Sequence, residues 1–182
     1  VKARTKSGNR RYLDQYVSSR ASADMQALGL FPNAKEVTES FGALCAARQH
    51  SGWTEDDPVT VICPGDGKSP RTGATFAFFT PWTVWSVDPA VDPQASRWMR
   101  VHRLSVLPLP VEDIDPIEAD LALVVAVHSH ADLNAAIGKV RAREVRVIAI
   151  PCCVEQTWGN RPWMAYRDSA IWSDKNEVRV WR

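Results

Sequence analysis

The stretch Val59-Thr-Val-Ile-Cys-Pro-Gly-Asp-Gly-Lys-Ser-Pro70 decides how this chain is read. It opens on β-favouring residues, bends at Gly65 and Gly67, and closes on Ser69 and Pro70, an N-cap residue followed by the one best suited to a first helical position. A strand therefore runs through a glycine loop into a helix start. Glycines let the backbone turn tightly and let a ligand come close, while the unpaired N–H groups of the helix start attract an anionic or polar group. Two nucleotide motifs fail here. A dinucleotide loop needs G-x-G-x-x-G, but Pro70 takes the third glycine's place and two helical stretches precede the motif. A Walker loop needs G-x-x-x-x-G-K-[ST], and Gly67-Lys68-Ser69 matches its end, yet Ile62 stands where its first glycine belongs.

Upstream of Pro58 the pattern is helical. Asn33 and Glu36 make a capping box, Val37, Phe41, Leu44 and Arg48 share a face, and residues 11–28, with Tyr12, Tyr16 and Met25, predict an earlier helix ending at Gly29. Downstream, apolar runs at 59–63, 83–87, 98–104, 121–127 and 145–150 alternate with helical or loop segments, the pattern of a mostly parallel sheet. The unbroken run 121–127 fits a central strand buried on both faces. Helices are predicted from Ser69 to before Pro81 and, capped by Asp132, from 133 to about 143. Residues 169–173 and 177–181, flanking Asp174-Lys175-Asn176, read as a closing antiparallel hairpin.

The composition suits an ordinary globular protein: 182 residues, 45% hydrophobic, 24% charged, net charge +1. One structural domain is expected, divided into an N-terminal basic arm and helical cap over 1–57 and a core over 58–182. A chain this long buries about two-thirds of its unfolded surface and needs no staple. Cys45, Cys63, Cys152 and Cys153 follow no C-x-x-C or zinc-finger spacing, so a reducing, cytoplasmic setting is expected. The longest apolar run falls far short of the ~20 residues that cross a bilayer, so no membrane partner is expected. Lys2, Arg4, Lys6, Arg10 and Arg11 make a basic start with no apolar segment behind it, which argues against a signal peptide; the missing initial Met suggests processing or trimming. Such an arm reads either as a phosphate-binding element or as a solvated terminus.

Asp88, in Trp85-Ser-Val-Asp-Pro89, closes the second strand 23 residues beyond Gly65. Only a pair of acceptors binds two vicinal hydroxyls at once, so this acid suits a ribose, although a turn Asp before proline is the plainer reading. The glycine loop and Asp88 together most resemble an S-adenosylmethionine site. Glu112-Asp113-Ile114 follows the third strand, where an acid beside an apolar residue would meet an adenine, or where a loop acid is merely solvated. Two further strands end in polar residues: Val124-Val-Ala-Val-His-Ser-His-Ala-Asp-Leu133 and Ile148-Ala-Ile-Pro-Cys-Cys153. Ligands bind beyond the carboxyl ends of open α/β sheets, so both tips are expected in one crevice with Gly65 and Asp88.

Over 59–154 the sequence resembles the class I SAM-dependent methyltransferases, in the branch with an H-x-C-G…D-L-like segment after strand four and P-C-C after strand five, which includes tRNA ribose 2′-O-methyltransferases. The resemblance implies an α/β, Rossmann-like fold with a mostly parallel twisted sheet, helices on both faces and a C-terminal antiparallel hairpin. It implies S-adenosylmethionine as cofactor, held at Cys63, Pro64, Gly65, Asp66, Gly67, Asp88, Pro89, Glu112, Asp113 and His128. His128, Asp132 and Cys152 are its implied catalytic residues, Cys153 lies on the substrate side, and RNA, not DNA, is the implied acceptor. Trp158, Arg161 and Trp163, in the loop after strand five, are substrate candidates because aromatic rings and Arg stack on bases. The chain departs from the branch at His130 and Ala131, which replace its Cys-Gly, and at Val154-Glu-Gln156, which replaces its usual His. The alternatives are a catalytically silent RNA- or protein-binding subunit and a small-molecule methyltransferase.

Direct in-line transfer with His128 as proton acceptor is the expected mechanism; a covalent step through Cys152 is the other. His128, His130, Cys152 and Cys153 form a metal-like donor set, but adjacent cysteines seldom both reach one ion, so no metal is expected.

Overall fold

The computed structural model describes residues 9–91, 97–159 and 161–182. Lys2, Arg4 and Lys6 of the basic arm lie outside them. Three helices come first, α1 (Arg11–Ser18), α2 (Ser22–Ala27) and α3 (Ala34–His50). Then follow β1 (Val59–Pro64), α4 (Arg71–Phe79), β2 (Thr83–Val87), β3 (Leu104–Leu107), β4 (Ile117–Val127), α5 (Leu133–Gly138), β5 (Val140–Ile150), β6 (Met164–Arg167) and β7 (Glu177–Trp181).

The strands form a seven-stranded sheet in the order β3-β2-β1-β4-β5-β7-β6. β1 to β5 run parallel, and β7 inserts antiparallel between β5 and β6. This is the expected α/β, Rossmann-like arrangement, with the order reversing beside β1. β1 and β4 sit at its centre, and Leu121 through Ala126 are all buried, as a strand covered on both faces requires. One face carries Val61, Cys63, Leu123, Val125, Ile148 and Val180 against Tyr12, Phe41 and Leu44 of α1 and α3 and Phe76 of α4. The N-terminal helices thus share one apolar core with the sheet. The other face, with Ile62, Val124, Ala126 and Ala149, is covered by α5 and a single 3-10 turn at Val111–Asp113. No described helix is long and apolar enough to cross a membrane.

Local details differ from the sequence reading. The strand expected at 98–104 begins only at Leu104: Trp98–Arg100 is a 3-10 turn with the Trp98 ring buried, and Arg103 adopts φ +65. Residues 140–144, expected to extend a helix, instead prolong β5 beside the start of β4. There Arg141 pairs with Glu118 and Arg143 with Asp120, and strand pairing overrides the helix propensity of Ala, Arg and Glu. The hairpin partner of β7 is β6, not residues 169–173, which form turns anchored by Asp168. The helix expected over 11–28 breaks at Ser19, where the Ser18 and Ser19 hydroxyls bond back to the carbonyls of Asp14 and Tyr16. Asn33 caps α3 as expected, accepting from the Glu36 N–H at 3.1 Å. Ser69 does not cap α4; its hydroxyl donates to the Leu30 carbonyl.

Candidate functional site

A cleft of about 590 Å³ opens beyond the carboxyl ends of β1, β2 and β4. Its floor is the glycine loop. Gly65 has φ +63 and its N–H donates to the Val87 carbonyl at 2.7 Å. A Cβ there would come within 3.0 Å of the Ser129 hydroxyl and 3.2 Å of the Ala131 nitrogen, so only glycine fits between β1 and the β4 tip. Gly67, with φ +86, donates its N–H to Asp88 Oδ2 at 2.7 Å. The Ala90 N–H takes Asp88 Oδ1 at 2.7 Å. An ionised carboxylate has about four acceptor positions, so two on Asp88 remain for a ligand.

Asp88, Pro89, Gly65, Gly67, Glu112 and His128 all line this cleft, as does Asp132. Others expected in the site face elsewhere. Cys63 is 1% exposed within the core, where burial holds its thiol well above the usual pKa. Pro64 is buried with it. Asp66 turns away from the cleft to serve α4: its carboxylate accepts from Thr72 N, Gly73 N and Ser86 Oγ at 2.9, 2.9 and 2.8 Å. It answers two of the orphan donors that every helix start leaves. Burial raises its pKa to about 6 against the pull of those hydrogen bonds. Asp113 is exposed and does not line the cleft; Val111 and Glu112 do, from the 3-10 turn. Asp132 also caps α5, accepting from Asn134 N at 2.8 Å and Ala135 N at 3.3 Å.

His128 stands at the tip of β4 with φ +48, in the left-handed region that few residues other than glycine adopt. Its Nε2 donates to the Lys175 carbonyl at 3.1 Å, and its Nδ1 lies 3.2 Å from Glu39 Oε1. Glu39 is 1% exposed on α3, and the same oxygen is 2.6 Å from Lys35 Nζ. Both ring nitrogens thus face oxygen acceptors. Sequence reading missed Glu39, because Lys35 and Glu39 look like a surface i,i+4 pair. It also missed Arg71, the cation that α4 brings to the cleft beside Glu36.

His130 lines the cleft too, but its Nε2 lies 3.2 Å from Cys153 Sγ, and Cys153 Sγ is 3.6 Å from Cys152 Sγ. Neither cysteine lines the cleft. Burial pushes the Cys152 thiol up, yet hydrogen bonds from the Val154 and Cys153 backbones and from the Cys153 and His130 side chains outweigh it, leaving the pKa below the usual thiol value.

The aromatic loop after β5 is not brought to the cleft. Trp163 stacks under the Arg182 guanidinium at 3.8 Å and beside His50 at 6.5 Å. Arg182 follows β7 where that strand pairs with Val147, toward the amino end of β5, away from the cleft. Trp158, Arg161 and Trp163 line a separate 390 Å³ cavity there. Another cavity, of about 500 Å³, lies between α3 and the β6–β7 connection, lined by Lys35, Ile171, Trp172, Asp174 and Asn176.

No protein-family model matches this sequence, and no curated protein resembles it closely enough to count as a relative. Two solved structures of MtNAS share the fold. A variant of MtNAS crystallised with S-adenosylmethionine superposes with a TM-score of 0.58 at 15% identity, covering 93% of this chain and 69% of its own. MtNAS with MTA and tNA gives 0.55 at 15% identity, covering 94% and 67%. The 1,6-didemethyltoxoflavin-N1-methyltransferase of Burkholderia thailandensis, with 1,6-didemethyltoxoflavin and S-adenosylhomocysteine bound, gives 0.42 at 16% identity, covering 100% and 76%.

Proposed function

We propose that the cleft binds S-adenosylmethionine and that the protein is a methyltransferase. The observation that carries this is the 2.7 Å bond from Gly67 N to Asp88 Oδ2, which closes the glycine loop onto the acid ending β2 at the lip of an open cleft. The residues present fit the cofactor. Gly65 and Gly67, both at positive φ, line the cleft that would receive the nucleoside, and the two remaining acceptor positions of Asp88 suit the ribose hydroxyls. Val111 offers an apolar wall and Glu112 an acceptor for an adenine amino group. Arg71 supplies a cation for the amino-acid carboxylate. A fold shared with a protein crystallised with S-adenosylmethionine supports the same reading. When bound, the cofactor supplies an electrophilic methyl group on a sulfonium.

Glu39, whose buried carboxylate lies 3.2 Å from Nδ1, would keep the ring's proton on that nitrogen, so His128 would take the acceptor's proton at Nε2, which gives up the Lys175 carbonyl to receive it. The acceptor would sit in the 500 Å³ cavity beside Lys35 and Trp172. That cavity adjoins the Lys35–Glu39–His128 chain, and the Lys175 carbonyl that holds His128 belongs to the same connection. Its size suits a small molecule or a single extruded base. RNA is the second reading, favoured by the Trp163–Arg182 stack and by Trp158 and Arg161, which would grip a strand at a distance from the transfer site.

The test is transfer of tritiated methyl from S-adenosylmethionine into small-molecule extract, total RNA and protein, run beside Asp88→Asn. Label entering the small-molecule fraction with the parent and not with the variant supports the first reading, and label in RNA the second. Equal labelling by the two proteins rules out the assigned cofactor site. Cofactor binding with no transfer into any fraction marks a silent scaffold.

A further inference from the structure

We propose that His130, Cys152 and Cys153 bind a zinc ion and leave one coordination position open. His130 follows β4 and the cysteines follow Pro151 at the tip of β5, the strand that pairs with β4 through Val127 and Ile150. Their ligand atoms all lie within 4.8 Å of one another, a grouping of donor side chains unmatched among the described residues.

The two spacings that involve Cys153 are close to those of a tetrahedron, and the third lies within 4.8 Å. With Zn–S near 2.3 Å and Zn–N near 2.0 Å, two thiolates on one ion stand ~3.8 Å apart, and a thiolate and an imidazole nitrogen ~3.5 Å. The observed Sγ–Sγ distance is 3.6 Å and the Cys153 Sγ–His130 Nε2 distance 3.2 Å. The bends at residues 152–154 therefore aim two adjacent cysteines the same way, which removes the usual objection to such a pair. Thiolate and imidazole donors select a borderline-soft ion and discriminate against magnesium and calcium.

Three protein ligands make an open site rather than a closed structural one. His130, Ala131 and Asp132 line both the main cleft and a neighbouring 240 Å³ cavity bounded by Val154 and Gln156. His130 lines both cavities, so a water or a donor atom of a bound molecule could reach the fourth position from either. Nothing in this assignment depends on what the cleft binds.

The experiment uses the full chain, purified reduced and metal-free, with its thiols counted by Ellman's reagent. Titration with cobalt(II) should give thiolate-to-cobalt charge-transfer absorption and the visible bands of a tetrahedral ion. Zinc should displace the cobalt at one equivalent per chain. Cys152→Ser, Cys153→Ser and His130→Ala should each weaken zinc binding by more than the ~10–100-fold that loss of a mere outer-shell partner causes. Cys45→Ser, far from the cluster, should leave it unchanged. His130 and Cys153 are exposed, so these variants should keep the parent's melting temperature, checked by circular dichroism without metal. Absence of the cobalt bands with all thiols reduced would overturn the site, as would zinc affinity indifferent to His130→Ala.

Discussion

Replacing Gly65 by alanine tests the floor of the cleft quantitatively. The new Cβ would stand at φ +63, which costs an L-residue ~1–2 kcal/mol. It would also sit inside 3.0 Å of Ser129 Oγ. Ser129 is 1% exposed, its hydroxyl accepts from Ala131 N at 3.1 Å, and its carbonyl accepts from Gln156 Nε2 at 2.9 Å. Moving the hydroxyl strands the Ala131 N–H, at ~1–3 kcal/mol. The two terms predict a total loss of ~2–5 kcal/mol, a large part of the ~5–15 kcal/mol that stabilises a domain. Ser129→Ala alone should cost ~1–3 kcal/mol by orphaning the same N–H. The double variant should then cost less than the sum of the singles, because the hydroxyl can be displaced or deleted only once; a favourable coupling of ~1–3 kcal/mol is expected. Urea denaturation of the four proteins measures all these terms. Gly67→Ala is the contrast: its Cβ meets only the end of the flexible Arg71 side chain, at 2.9 Å, so the backbone strain alone should be seen. Additive effects of Gly65→Ala and Ser129→Ala, or a Gly65→Ala loss below ~0.5 kcal/mol, would refute the packing described here.

Asp88→Asn leaves one acceptor oxygen for the Gly67 N–H and for any ribose, and should weaken S-adenosylmethionine binding by ~2–4 kcal/mol, ~30–1,000-fold, in calorimetry. Asp66 is protonated in the folded state up to about pH 6 but in the unfolded chain only up to its ordinary 3.8, so the folded state binds the extra proton between these values. Stability should therefore fall by ~3 kcal/mol as pH rises from about 4 to 6, and the difference between parent and Asp66→Asn melts across that window should isolate it. Glu39→Gln should lower the transfer rate at least ~10-fold while cofactor affinity stays within about threefold, read from single-turnover and binding data. Trp163→Ala, at the far edge of the sheet, should leave S-adenosylmethionine affinity unchanged in the same calorimetric assay.

The strand, glycine loop and helix over 59–79, the buried run of β4 and the placement of Asp88 were legible because each follows from short-range rules of patterning and turn chemistry. The start of β3 was not: Trp98 and Val101 are apolar because they fill the core from a turn, and periodicity does not distinguish that from a strand. β5 ran longer than read because Arg141 and Arg143 find their acids on β4, more than twenty residues earlier in the chain. Within the site, the glycine loop showed where a ligand fits but not which side chains face it. Asp66 and Asp88 are both acids beside the loop; only the fold turns one toward the helix and the other toward the cleft. Glu39 carried no sequence signal, since its burial depends on β4 delivering His128 opposite α3.

The most direct test of the cofactor assignment is isothermal calorimetry of the full chain with S-adenosylmethionine, repeated with adenosine as competitor and with Asp88→Asn. A single saturable site with a dissociation constant of ~1–100 µM, displaced by adenosine and lost in the variant, is the predicted result. Absence of saturable heat, or binding that Asp88→Asn leaves intact, would contradict it.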